Sequence, residues 1–390
     1  MRELLAPAKD LEKLKIALLY GADAVYIGGR NFSLRANATN FSLEELKEAV
    51  DFAHALNKKV YITVNIVFHD EDFEGLLEYL KYLEEIKIDG VIVSDIAVVD
   101  MIKENELDLF IVLSTQASSI NEYNVAFWQS LGVKRVVLGR ECDKEEIKRV
   151  IENTGVEAEV FVHGAMCTSF SGKCLLSNKT TLRDANRGGC AQVCRWCFKN
   201  KENPEFSMMS KDLNMIENIQ EMFSLGVVSY KIEGRMRSVY YLATVVGVYR
   251  KIFDLVSENK LTKEDQEYFL KILNRVANRE SKAQFFNNLP DETDQYFFGR
   301  TEETNKDFLA IVKEYDKDSG MVTLEQRNYF KKGDKVQFFN PKFEINEYTV
   351  NEIFDKDDNL IEIANHPKMI IKVKVDFELK ENDFMRISIQ

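Results

Sequence analysis

A (β/α)8 TIM-like barrel followed by a small C-terminal all-β barrel is the fold this sequence predicts. Three observations carry that prediction. Eight short apolar runs alternate with longer amphipathic stretches through the first 235 residues. Polar residues gather at the C-terminal ends of those runs, where the loops of such a barrel build its active site. Beyond residue 306 the pattern changes to closely spaced short strands separated by turn signals.

The eight candidate strands are 3–7, 24–28, 59–65, 90–95, 109–115, 135–141, 158–164 and 229–234. Helical periodicity fits between most of them. The first helix is read over 11–19. The second is read over 42–56, with Ser42 as N-cap and Glu45 completing a capping box. Eight strand–helix units over about 250 residues is the arithmetic of a closed barrel. An open doubly wound sheet is the competing architecture. Its first turn should carry a glycine-rich phosphate fingerprint, and here Gly28-Gly29 closes the second strand instead. A closing helix is expected over 262–280, then a polar linker to about residue 306. The tail reads as strands at 308–314, 321–325, 335–339, 348–354, 360–364, 369–379 and 384–389. The expected organisation is therefore a catalytic barrel over 1–255 with a cysteine-rich loop at 164–200, a helix and linker over 256–305, and a small β-barrel over 306–390.

The composition is that of a soluble globular protein, 45% hydrophobic and 30% charged. A chain of 390 residues buries enough core to do without disulfides. The opening Met1–Pro7 segment lacks a basic stretch followed by a long apolar run, and the apolar stretch at 90–101 is interrupted by Asp95 and Asp100. A cytoplasmic location with no membrane partner is the expectation. The net charge of −12 argues against indiscriminate nucleic-acid binding. It leaves room for a local basic site at 179–201, where Lys179, Arg183, Arg187, Arg195, Lys199 and Lys201 face one acid, Asp184.

Five of the six cysteines fall within 31 residues, in the pattern C-x6-C-x15-C-x3-C-x2-C: Cys167, Cys174, Cys190, Cys194 and Cys197. Such bunching in a chain expected to be cytoplasmic points to a metal or cluster site. Zinc favours two short paired knuckles, and there is no second matching one. A [4Fe–4S] cluster takes four thiolates and tolerates irregular spacing. The spacing of Cys190, Cys194 and Cys197 is also that of the radical S-adenosylmethionine motif. Here, though, it follows the seventh strand rather than the first and leaves Cys167 and Cys174 unexplained. Cys142 stands apart and reads as an ordinary buried or loop cysteine.

The strand-end polar residues are Asn65, Asp95, Ser114-Thr115-Gln116, Arg140-Glu141, His163 and Glu233-Gly234-Arg235. Singly, each is explained by a turn or a cap; as a set they favour a site. Arg140, Glu141, His163, Lys231 and Glu233 are the catalytic candidates. His163 is read as an acid/base, with a hydrogen-bonded structural histidine as the alternative. Lys231 and Glu233 alternate onto one strand face and are expected to form a buried ion pair at the barrel mouth. Arg235 and Arg237, with Asn65 and Gln116, are the candidates for holding a co-substrate, since guanidinium forks match carboxylates. RNA phosphates or Glu233 are equally suitable partners for the two arginines.

Across nearly its whole length the chain resembles the peptidase U32 family. The resemblance rests on Glu3-Leu4-Leu5-Ala6-Pro7-Ala8, Gly21 through Gly29, Asn40-Phe41-Ser42, Ser114-Thr115-Gln116 and Arg140-Glu141. Its most specific segments are His163-Gly164-Ala165-Met166-Cys167, Ser171-Gly172-Lys173-Cys174, Asn186 through Trp196, and Lys231 through Arg237. It implies a [4Fe–4S] cluster on Cys167, Cys174, Cys190 and Cys194. Cys197 departs from the family pattern, either as a replacement for Cys194 or as a spare thiol, and the spare thiol is favoured.

The resemblance further implies an oxygen-independent hydroxylase. One branch of the family hydroxylates the wobble uridine of tRNA and requires prephenate, while others act on rRNA or on ubiquinone precursors. The C-terminal β-barrel is similar to that of the RNA-acting members, which favours tRNA as partner over rRNA. A U32-type peptidase is the alternative the family name suggests. It would need an activated nucleophile or metal-bound water, and none of the four histidines sits in a protease motif. A non-catalytic RNA-binding protein with a structural cluster is the third reading. In the RNA-acting readings, Trp196 and Phe198 offer stacking surfaces, against packing of Trp196 over the cluster.

Overall fold

The computed structural model describes residues 2–34, 40–202, 205–296 and 307–389. The chain divides into two compact units: Met1–Leu18 with Ala22–Arg237 and Arg279–Thr301, and Leu19–Gly21 with Ser238–Asn278 and Glu302–Gln390. Part of the expected linker, 297–306, lies outside the described residues. Among the described residues no helix is long and apolar enough to cross a membrane.

The first unit is a closed parallel barrel. Its staves are β1 (Glu3–Pro7), β2 (Ala24–Ile27), β3 (Lys59–Val64), β4 (Gly90–Val93), β5 (Ile111–Leu113), β6 (Arg135–Val137) and β7 (Glu157–Gly164). Two further strands follow, β8 (Asp212–Asn214) and β9 (Ser229–Ile232). β9 pairs in parallel with β7 on one side and β1 on the other, which closes the cylinder. All eight staves lie where the sequence places them, most of them shorter at their C-terminal ends. The trimmed residues are caps and turns: Asp95 accepts from the Ala97 amide and Ser114 from the Gln116 amide, opening the next element.

The helices α1 (Leu11–Leu19), α2 (Leu43–Ala55), α3 (Leu76–Glu85), α4 (Ile96–Glu104), α5 (Glu122–Ser130) and α6 (Lys144–Thr154) alternate with the first seven strands. The capping box that opens α2 is present: Ser42 Oγ accepts from Glu45 N at 3.2 Å, and Glu45 Oε2 accepts from Ser42 N at 2.7 Å. After β7 the alternation breaks. The cysteine-rich segment, with the short α7 (Leu176–Thr181), leads into β8, which runs antiparallel to the end of β7. Then α8 (Ile219–Ser224) precedes β9.

The barrel interior is charged as well as apolar. Arg135 Nη1 lies 2.6 Å from Glu3 Oε1 and 3.6 Å from Glu159, and Lys231 Nζ lies 2.7 Å from the other Glu159 oxygen. Tyr61 and Ser229 donate to Glu3 at 3.1 and 3.0 Å. The expected pairing of Lys231 with Glu233 is therefore corrected. Both do face inward, but residues i and i+2 of one strand stand further apart than residues facing each other on neighbouring strands. Lys231 reaches across to β7 and also lies 4.5 Å from the Tyr26 ring.

The second unit contains α9 (Val239–Ser257), α10 (Lys263–Val276) and an antiparallel all-β region. The expected closing helix ends at Val276 rather than Glu280, and Ser281–Lys282 forms a short strand, β10, on β8 of the first unit. The all-β region comprises β11 (Phe308–Asp316), β12 (Met321–Gln326), β13 (Phe330–Lys331), β14 (Lys335–Phe339), β15 (Ile345–Thr349), β16 (Ile353–Asp355), β17 (Leu360–Ile361), β18 (Ile363–Ala364), β19 (Ile370–Lys374) and β20 (Phe384–Ile387). Eight of these pair in the order β15-β14-β20-β11-β12-β19-β16-β17, over a core that includes Leu324, Phe338, Val373 and Met385. Aromatic contacts continue within the unit: Tyr20 meets Phe339 and Phe384 edge-on, and Tyr240 stacks on Phe308 at 4.8 Å.

Asp383 in this unit is 2% exposed. Burial pushes its carboxyl from the ordinary 3.8 up to about 6, against the hydrogen bond from the Lys380 amide. The folded state therefore keeps a proton that the unfolded chain has lost. The stability linked to this group is complete below about pH 3.8 and falls as pH rises through about 6. Asp383→Asn is expected to raise stability at pH 8 by about 1–2 kcal/mol and to change little at pH 4. Urea midpoints at both pH values check the sign.

Candidate active site

The C-terminal ends of β5, β6, β7 and β9 supply a polar cluster at the barrel mouth. Arg140 follows β6, and its guanidinium lies 3.7 Å from the Phe161 ring centroid. Arg140 Nη2 stands 3.9 Å from Glu233 Oε2, and the Arg140 side chain is only 10% exposed. Glu233 also accepts from the Tyr26 hydroxyl at 3.4 Å. Glu141 uses one oxygen to accept from the Ser171 amide at 2.7 Å and its hydroxyl at 3.1 Å.

Four buried polar atoms on the two adjoining loops have no hydrogen-bond partner: Thr115 Oγ1, Gln116 Oε1, Arg140 Nε and Glu141 Oε2. Buried polar atoms are rarely left unsatisfied, and such a group of them marks a place where a ligand or water completes the bonding. The Ser171-Gly172 turn ties these loops together. Gly172 sits at φ +76°, and a Cβ there would lie 2.1 Å from the Gln116 carbonyl oxygen, so no other residue fits.

The remaining sequence candidates are held by other groups. Asn65 donates to Ser114 Oγ at 3.1 Å and accepts from the Leu34 amide at 3.4 Å, so it braces the loops behind the mouth. Arg235 is buried and donates to Asn40 Oδ1 at 2.6 Å, Leu34 O at 3.1 Å and Ser33 Oγ at 3.2 Å. Its fork passes so close to Gly28 that a Cβ there would lie 2.4 Å from Nη2. Arg237 lies 3.4 Å from Asp212. Burial, with Arg237 nearby, drives the His163 imidazole down to about 3, so it is neutral at physiological pH and donates no charge-assisted proton there.

The cysteine loop lies beside the Arg140–Glu233 pair. Although Cys167 as a residue is exposed, desolvation pushes its thiol up. Arg140 opposes that rise, while Cys190, Glu233 and Cys174 add to it. Desolvation likewise raises the Cys194 thiol, with Cys167, Cys190 and Cys174 adding to it. Cys167, Cys174, Cys190 and Cys194 thus share one electrostatic neighbourhood. Cys197 is exposed. Among the described residues no group of three or more His, Cys, Asp or Glu side chains is arranged to hold a metal ion. Cys142 is buried, with its thiol toward Ile120 O at 3.7 Å.

A strap anchors the loop. Arg187 grips both carboxylate oxygens of Asp72 and donates to Val67 O, while the Val67 amide donates to Asn186 O at 3.2 Å. The bond from Arg187 holds the Asp72 carboxyl down to about 2. Arg187→Ala is expected to speed tryptic cleavage within 165–200 several-fold, while shifting global stability by less than about 1 kcal/mol. Limited proteolysis beside a urea titration separates the two effects. Of the other basic loop residues, Arg195 bonds to Gln192 and Lys199 pairs with Glu205 at 3.7 Å, while Lys179, Arg183 and Lys201 are exposed. Trp196 is 46% exposed, so part of its ring is open to solvent. Phe198 packs against Phe206 at 5.7 Å.

Two charged residues at this end of the barrel carried no sequence signal. Asp212 sits on the three-residue β8, and Arg279 follows α10; Arg279 Nη2 lies 2.8 Å from Asp212. Neither belongs to a periodic run or a spaced motif.

Comparison with known proteins gives a coherent set of relatives. The model of peptidase family U32 matches residues 9–296, and that of the peptidase family U32 C-terminal domain matches 304–386. The tRNA hydroxylation protein P1 of Bacillus subtilis is 44% identical over 397 residues, spanning 98% of this chain and 94% of that protein. The tRNA hydroxylation protein P of Escherichia coli is 31% identical, over 88% of this chain and 87% of its own. The 23S rRNA 5-hydroxycytidine C2501 synthase of Escherichia coli is 35% identical, over 66% of this chain and 40% of its own.

Proposed function

The chain belongs to peptidase family U32, and from that membership we propose that it hydroxylates RNA, forming 5-hydroxyuridine at the wobble position of tRNA. The observation that carries this reading is the 44% identity to a tRNA hydroxylation protein along 98% of the chain, both units included. The relative named for rRNA hydroxylation matches only 66% of the chain, which supports tRNA over rRNA.

In this proposal Cys167, Cys174, Cys190 and Cys194 hold a [4Fe–4S] cluster. Four thiols in one electrostatic neighbourhood are the right donor set. Among the described residues no metal-binding group is preformed, and the four thiols of this one loop would hold the cluster. When bound, the cluster would supply an electron-transfer centre beside the barrel mouth. The chain's own residues supply the setting. Phe161 walls the mouth under Arg140, Arg140 and Glu233 form a partly buried ion pair, and Thr115, Gln116 and Glu141 offer unmet hydrogen bonds to a base edge. Prephenate is proposed as co-substrate, with its carboxylates on arginine.

The C-terminal unit supports an RNA partner. Tyr329, 55% exposed, lines a 610 Å³ groove together with Lys335 and Asp334, which offers a stacking face and a cation of the kind single-stranded RNA uses. A peptidase is disfavoured because none of the four histidines sits in a protease motif and a thiol that ligates iron is not free to attack a peptide.

Nucleoside mass spectrometry of tRNA and rRNA from a deletion strain tests the reading. Loss of 5-hydroxyuridine derivatives from tRNA alone is expected. Loss of hydroxycytidine from rRNA instead would transfer the assignment to rRNA, and two unchanged pools would remove RNA hydroxylation.

A further inference from the structure

Lys231 is too enclosed to touch a substrate at the mouth. It lies on β9, two residues deeper than Glu233, its side chain is 6% exposed, and Glu159 holds its ammonium at 2.7 Å. It nevertheless adjoins both rings that touch the pair at the mouth. Its Nζ stands 4.5 Å from the centroid of the Tyr26 ring and 5.6 Å from that of Phe161. The Tyr26 hydroxyl donates to Glu233 Oε2 at 3.4 Å, and the Phe161 face carries the Arg140 guanidinium at 3.7 Å. Arg140 and Glu233 are the partners that stand 3.9 Å apart.

The backbone explains how one ammonium comes to meet both rings. Phe161 on β7 and Lys231 on β9 are paired directly in the parallel ladder, so their side chains leave the sheet on the same face. Tyr26 reaches them from β2. Just past Phe161 the register shifts, and His163 pairs with Ile232. An irregularity of that kind re-aims the side chains beside it and recurs next to active sites. A cation is attracted to the face of an aromatic ring, and more strongly where water is excluded, as it is around this enclosed ammonium.

We infer that Lys231 is a positioning residue: clamped by Glu159, it orients the Tyr26 and Phe161 rings, which set the spacing of Arg140 and Glu233. This deepens the hydroxylase reading and rests on it for the part that the mouth pair plays. A displacement of about 1 Å at a reacting centre, caused from a distance, costs about 100-fold in rate, so a small change in ring tilt is enough to matter.

The test compares full-length, cluster-loaded wild type with Lys231→Met/Glu159→Leu and with Tyr26→Phe. The double variant removes the cation together with its buried counter-ion, which separates positioning from charge balance. Its crystal structure is expected to show the Arg140–Glu233 separation changed by about 1 Å or more. Its kcat for tRNA hydroxylation should fall about 100-fold with KM for tRNA unchanged, because Lys231 touches no substrate. Its urea midpoint should stay near that of the wild type. Tyr26→Phe keeps the ring and removes the hydroxyl, so it should release Glu233 and lower kcat several-fold while Lys231 remains on Glu159. Where the double variant does not fold, Lys231→Gln, which keeps a donor toward Glu159, serves with the same expectation.

An unchanged Arg140–Glu233 separation in the folded Lys231 variant overturns the inference, whatever happens to the rate. A fall in kcat that only tracks the loss of folded protein overturns it as well. The two readings fail separately. A displaced pair in a protein whose wild type hydroxylates no tRNA keeps the positioning role and removes the RNA assignment. An undisturbed pair, with tRNA hydroxylation present in the wild type, removes this inference alone.

Discussion

Lys231→Met is expected to destabilise the barrel by about 3–5 kcal/mol, a large share of the roughly 5–15 kcal/mol that holds a domain together. The ammonium lies 2.7 Å from Glu159, and both side chains are almost fully enclosed, at 6% and 1% exposure. Removing it leaves the Glu159 carboxylate buried with only Arg135, at 3.6 Å and already shared with Glu3. The loss is one of charge balance and not of packing, since methionine replaces most of the lysine stem. Lys231→Met combined with Glu159→Leu should therefore recover much of the stability that the single change removes. Urea unfolding of the two variants decides the matter. A single variant that loses less than about 1 kcal/mol would show that the interior charges are not mutually dependent.

Cys167→Ala is expected to abolish both iron binding and tRNA hydroxylation, whereas Cys197→Ala should leave both near wild-type levels. Loss of one of four thiolate ligands removes the cluster, and the proposed reaction has no other redox centre among its residues. Cys197 is exposed, and the family resemblance places the four ligands at the other cysteines of the loop. Iron and acid-labile sulfide per chain, read beside tRNA nucleoside composition, separate the two thiols. Equal iron loss in Cys197→Ala and Cys194→Ala would overturn the assignment of the four ligands.

Most of the barrel was legible because its staves are short apolar runs bounded by residues that cannot continue a strand. The overshoot at Asp95 and Ser114 has a simple cause: a cap is polar and follows a strand directly, so it reads as the strand's end. β8 and β10 escaped because Asp212-Leu213-Asn214 and Ser281-Lys282 are too short and too polar to show a period of two. The cysteine loop and the Arg140-Glu141 step were visible as motifs. The partners were not. Lys231 and Glu159 are 72 residues apart, and nothing local marks a carboxylate on one stave as the neighbour of an ammonium on another. Arg279 was hidden for the same reason. Its partner Asp212 stands on a strand far away in the chain.

Tyr20 leaves the ribosome 362 residues ahead of Asn382, to whose carbonyl its hydroxyl donates at 2.9 Å. At about 5–20 residues per second, that ring waits roughly 20–70 seconds for its partner. The barrel strands on either side of it can begin to pair long before then. Synthesis therefore passes through a stage in which the strands of the first unit are present while Tyr20, a residue of the second unit, still lacks its C-terminal partners. Slow-translation stretches or holding chaperones that act on this nascent chain should have their effect between the emergence of β9 and that of β20.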